Sequence, residues 1–140
     1  MKKIAIIILL IVSVNLSAQT NTQNWFTDYK KAIKTSETLK NPILVFVTDN
    51  STNENYTVLQ DEVFNSDQFK KYSSSFVLLK LDISADDYNK RLAAHYTKSK
   101  IVPALVLIDE KGNTIEKALT EINSKTVSEF MTFLKTKTKY

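Results

Sequence analysis

Asn41-Pro42-Ile43-Leu44-Val45-Phe46-Val47-Thr48-Asp49-Asn50 places an unbroken apolar run, residues 43–47, between a proline and a polar turn. A run of strand length that is apolar at every position has no solvent-facing side, the pattern of a strand covered on both faces. Residues 43–47 are therefore read as a buried central strand, and the elements on either side decide what covers it.

Downstream, residues 48–55 are polar and rich in turn and capping residues, and Tyr56, Leu59 and Val63 then recur at helical spacing. Asn65 and Gln68, at capping-box spacing, predict a short helix with Phe69 and Tyr72 on its apolar side. Residues 76–82 read as a second core strand. Ser84 is the expected cap of a helix with Asp86 and Asp87 in its first turn and Tyr88, Leu92 and Tyr96 at four-residue intervals. Pro103 opens a third apolar run, residues 104–108, and Asp109-Glu110-Lys111-Gly112-Asn113 turns the chain into an edge strand over 114–118. Asn123 or Ser124 begins a last helix with Val127, Phe130, Met131 and Leu134 on one face, fraying from Lys135. Upstream, Trp25, Tyr29, Ala32, Ile33 and Ser36 predict an amphipathic first helix that ends at Asn41-Pro42. Strands separated by helices pair in parallel through right-handed crossovers, and the final hairpin adds an antiparallel edge. The expected class is α/β, a three-layer fold with a central mixed sheet and helices on both faces.

The start of the chain reads as an address. Lys2 and Lys3 lead into the apolar run 4–12 and then into polar and small residues up to Ala18, the pattern of a secretory signal peptide spanning 1–18. A membrane-spanning helix needs about 20 apolar residues, so the expectation is export to the periplasm or the extracellular space with no stable membrane insertion after cleavage. Residues 19–24 then form a flexible lead, 25–137 one domain, and 138–140 a basic tail. Removing Lys2 and Lys3 lowers the net charge from +4 to +2, which gives no reason to expect a nucleic-acid partner. The chain has no Cys, one Gly (Gly112) and one His (His95). Disulfides, thiol redox catalysis, thiolate metal sites, glycine-rich phosphate loops and multi-histidine clusters are thereby excluded. No metal and no cofactor are expected.

Several local strings, in this order, resemble the secreted thioredoxin-like proteins of bacteria over nearly all of residues 25–137. Trp25 with Asp28-Tyr29 and Ala32 is similar to that family's entry segment, and Asn41-Pro42-Ile43-Leu44-Val45-Phe46 to its proline-to-strand junction. Leu59, Glu62-Val63-Phe64 and Asp67-Gln68-Phe69 are similar to the segment after the redox motif, and Lys80-Leu81-Asp82 to the end of the next strand. Ile101-Val102-Pro103-Ala104, Leu107-Ile108-Asp109 and Gly112 resemble the cis-proline loop and hairpin. Counting back from Leu59 and Phe64 lays the family's C-x-x-C on Asn53-Glu54-Asn55-Tyr56, where an amide and a phenol replace both sulfurs. Neither can attack a disulfide or resolve a mixed one.

The resemblance implies a cis Val102–Pro103 bond, with the residue before the proline offering its backbone to an extended polypeptide. Candidate binding residues are Asn53, Glu54, Asn55 and Tyr56 on the former redox loop, Val102 and Pro103, and Trp25. The expected function is a redox-inactive module that binds a polypeptide or protein partner through this face. Alternatives are an enzyme with non-thiol chemistry drawing on Asp49, Glu54 and Tyr56, and an envelope scaffold binding through another surface such as the basic tail.

Overall fold

The computed structural model describes residues 23–139, so the expected signal peptide and most of the lead lie outside the described residues. Four strands form one sheet in the order β1-β3-β2-β4: β1 (Trp25–Phe26), β2 (Ile43–Thr48), β3 (Val77–Asp82) and β4 (Ala104–Ile108). β3 pairs in parallel with β1 and β2, and β2 pairs antiparallel with β4. Every residue of β2 is buried, as its unbroken apolar run requires.

Alternation along the strands divides the core in two. One face, with Ile43, Val45, Val47, Leu79 and Leu81, is covered by α1 (Tyr29–Leu39) and α4 (Asp87–Thr97) through Ala32, Ala93 and Tyr96. The other, with Leu44, Phe46, Leu78, Leu105 and Leu107, is covered by α2 (Glu54–Leu59), α3 (Asp67–Tyr72) and α5 (Ser124–Thr136). Between α2 and α3 the chain makes a wider π-helical turn over Gln60–Phe64. The mixed sheet with helices on both faces is as the sequence predicts, but its antiparallel pairing lies between β2 and β4 and not in a final hairpin strand.

Three helix starts differ from expectation, each for a local reason. Trp25 is not helical: Asp28 caps α1 by accepting from Lys31 N at 3.1 Å, and Trp25 lies in β1 opposite Leu78. Its four-residue spacing to Tyr29 imitates a helical repeat. The cap of α3 is Ser66, whose Oγ accepts from Phe69 N at 3.1 Å, while Asn65 closes the π turn and accepts from Gln60 Nε2 at 3.3 Å. Ser84 does not cap α4, because both its N–H and its hydroxyl donate to Asp82 Oδ1, at 2.9 and 2.6 Å; Asp86 takes the role, accepting from Asn89 N at 2.7 Å.

The segment after the hairpin turn is not a regular edge strand; among the described residues it forms the isolated bridges Leu105–Leu119 and Ile108–Thr114. Ile115 N bonds Leu107 O, and Leu119 exchanges two bonds with Leu105. The return segment thus uses residues 115–119 to match 105–107 of β4, and the exposed Glu116 and Lys117 bulge outward. At the other end of this region Asn123 caps α5 with a reciprocal capping box through Thr126, and α5 continues to Thr136, past the expected fraying point.

Candidate functional site

The C-terminal ends of β2 and β3 carry twin turns. Asp49 Oδ1 accepts from Ser51 N at 2.9 Å and Ser51 Oγ at 2.6 Å, repeating the Asp82–Ser84 arrangement. Asn50, in the left-handed region at φ 65°, ties the two together by donating from Nδ2 to Asp82 Oδ2. These bonds stabilise the charged carboxylates. The Ser51 hydroxyl and N–H hold Asp49 below the usual carboxylate range, and those of Ser84 do the same for Asp82. A general acid working at neutral pH needs the opposite shift.

Asn53 is the N-cap of α2: its Oδ1 accepts from Tyr56 N at 2.8 Å and its carbonyl accepts from Thr57 N at 3.1 Å. Asn53 therefore supplies a capping acceptor, a contribution of about 1 kcal/mol to helix stability. Glu54 is exposed in the first turn, where the helix dipole favours its charge, and Asn55 is half-buried. Tyr56 points back to the sheet, its ring 6.3 Å from that of Phe46.

Trp25, by virtue of its place in β1, joins the same cluster. Its ring packs edge-on against Phe46 at 6.0 Å and Phe64 at 5.4 Å, and with Tyr56 and Lys80 these rings line a cavity of about 170 Å³. The structure thus brings Trp25 and Tyr56 together.

Val102 and Pro103 sit elsewhere. The Val102–Pro103 bond is cis, and Pro103 is buried immediately before β4, where Ala104 pairs with Val47. Val102 lines a separate groove of about 350 Å³ with Val47, Ile83, Ala94 and Ile101, and Lys90 and Lys100 are at its rim. Because Phe46 and Val47 point to opposite faces of the sheet, the aromatic cavity and this groove flank β2 on opposite sides. Sequence reasoning missed Ile83, Ala94 and Ile101. The available signal was Ile101, an isoleucine between Lys100 and Val102 with no strand or helix to bury it; it is 55 % exposed. No backbone hydrogen bond is formed by Val102 among the described residues. His95 is exposed on α4 and packs edge-on against Tyr96.

No protein-family model matches the sequence, and comparison with curated proteins finds no match. Solved structures do match. A DsbH oxidoreductase is 24 % identical, over 80 % of this chain and 84 % of its own, with a TM-score of 0.62. A disulphide isomerase from Xylella fastidiosa Temecula1 is 16 % identical over 80 % and 98 %, TM-score 0.58. A thioredoxin from Thermus thermophilus is 14 % identical over 81 % and 86 %, TM-score 0.57. Likeness at these identities speaks for architecture, and together with the sheet order, the helices on both faces and the cis-proline it shows that this cysteine-free chain has the thioredoxin fold.

Proposed function

We propose that this protein is a redox-inactive, exported binding module that holds an extended polypeptide segment along Ile101-Val102-Pro103. With no thiol in the chain, thiol–disulfide exchange is closed to it. The observation that carries the reading is Val102: a half-buried residue beside the cis bond whose N–H and C=O are unpaired among the described residues, next to an apolar groove. Unpaired backbone groups at this depth are complemented by an added strand, and the groove receives the alternate side chain of that strand. Lys100 on the groove's lining favours segments with an acidic residue flanking an apolar one, Lys90 being paired with Asp87 at 3.5 Å. Export rests on the N-terminal pattern of residues 1–18.

A library of short unstructured peptides, followed by fluorescence polarisation on the hits, tests the reading. The expected result is a preference for apolar residues next to an acidic one, and a loss of about tenfold or more in affinity for Ile101→Asp, which sets an unpaired charge against the bound apolar side chain. Since Ile101 is 55 % exposed, that variant keeps the fold. Affinity unchanged in Ile101→Asp would move the binding surface away from this groove.

A further inference from the structure

The aromatic cavity on the other side of β2 has a chemistry of its own. Phe46 and Lys80 are register partners on neighbouring strands, and alternation with the core residue Leu78 directs Lys80 to the face covered by α2. A lysine on the core side of a central strand is normally paired. Lys80 is half-buried, and its ammonium makes no hydrogen bond or ion pair among the described residues. The carboxylate whose charge reaches it, Asp82, is engaged by Ser84 and Asn50. Two further donors on the cavity's lining, the Tyr56 hydroxyl and the Trp25 indole N–H, also lack a hydrogen-bond partner among the described residues. Lys80 is the one charged residue among those lining the cavity, and the walls are the rings of Trp25, Phe46, Tyr56 and Phe64 together with Gln23 and Gln60, whose amide N–H groups donate to Phe64 O and Asn65 Oδ1.

Three donors that face solvent and not a protein acceptor, one of them cationic, among four aromatic faces suit a ligand that brings acceptors, a negative charge and a flat apolar body in place of water. We infer that this cavity is a binding site for a carboxylate carried on a small planar or apolar group, with Lys80 as its counter-ion and Tyr56 as a hydrogen-bond donor. A volume of about 170 Å³ accommodates a body the size of a benzene ring. The carboxylate can come from a free small acid or from the C-terminus of a polypeptide ending in an aromatic residue. The site is independent of the groove at Val102.

Trp25 is the single tryptophan of the chain, so its fluorescence reports on this cavity alone. The full-length mature protein is titrated with benzoate, with isosteric but neutral benzamide, and with a short peptide ending in Phe as its free acid and as its amide. Expected is a saturable change in Trp25 emission with benzoate at millimolar concentration or below, and none with benzamide. It should be lost in Lys80→Met and retained in Lys80→Arg, with circular dichroism confirming the fold of both. A peptide acid binding more tightly than benzoate, with its amide silent, assigns the carboxylate to a chain terminus; the reverse order assigns it to a free acid. Equal responses to benzoate and benzamide, or no saturable response to any carboxylate, overturn the site without needing either variant.

Discussion

Replacing Phe69 with Ala is expected to lower the unfolding free energy by about 3–5 kcal/mol. Phe69 is 0 % exposed and sits on α3, a helix of only 6 residues that cannot hold itself together in water. It is therefore packing that fixes α3, and the Phe69 ring meets Phe64 edge-on at 5.5 Å. Phe64 in turn contacts Phe46 at 5.0 Å and Trp25 at 5.4 Å, so the loss propagates along one aromatic chain from the far helix to the candidate cavity. Domains of this size have about 5–15 kcal/mol in total, and Phe69→Ala removes a large share of it. Urea denaturation checks this: the midpoint should fall with the slope unchanged, and Trp25 emission should shift red in the folded variant. A loss under about 1 kcal/mol would mean the ring is not held in the core as described.

Gly112→Ala is the second large effect, from a different cause. Gly112 has φ +80°, a conformation in which a side chain is strained, and a Cβ there would lie 3.0 Å from the Tyr29 hydroxyl and 3.1 Å from that of Tyr96. Those hydroxyls bond each other at 2.6 Å across α1 and α4. The methyl requires that pair to give by a few tenths of an ångström, and backbone strain plus a weakened, partly buried hydrogen bond together cost about 2–3 kcal/mol. The pair adds a pH signature. Burial, then the hydrogen bond it shares with Tyr29, raises Tyr96 well above the ordinary phenol value of 10.0. The folded protein thus keeps a proton that the unfolded chain releases. Stability from this group is complete below about pH 10 and declines as pH rises above it. In Gly112→Ala the alkaline decline should flatten as well as start from a lower value; thermal melts from pH 8 to 11 measure both. An unchanged melting temperature at pH 8 would refute the close approach of Gly112 to the two tyrosines.

The layers of the fold were legible because they rest on burial. The residues 43–47 run, the helical stripe Val127-Phe130-Met131-Leu134 and the absence of cysteine each mean one thing physically, and the structure places them accordingly. Boundaries were less legible because several acceptors compete. Ser84 has the right chemistry for a cap, but Asp82 lies two residues before it and captures both of its donors. Trp25 was read as helical from a spacing that β1 happens to share, although its place in the candidate site did not depend on that reading. The site residues were legible one by one but not as cavities. Sequence order cannot tell that Phe46 and Val47, adjacent in the chain, send Tyr56 and Val102 to opposite sides of the sheet. Lys80 looked like a strand-end lysine until Phe46 was seen beside it.

The central claim, that an extended polypeptide pairs with the backbone at Val102, is tested most directly by amide hydrogen exchange read residue by residue in nuclear magnetic resonance spectra. The comparison is between the protein alone and the protein saturated with the strongest peptide from the library. The account predicts that the Val102 amide exchanges fast in the free protein and becomes protected on binding, with shifts concentrated in Ile83, Ala94 and Ile101. Protection elsewhere, for instance along α5 or residues 137–139, with Val102 still exchanging freely, would contradict it.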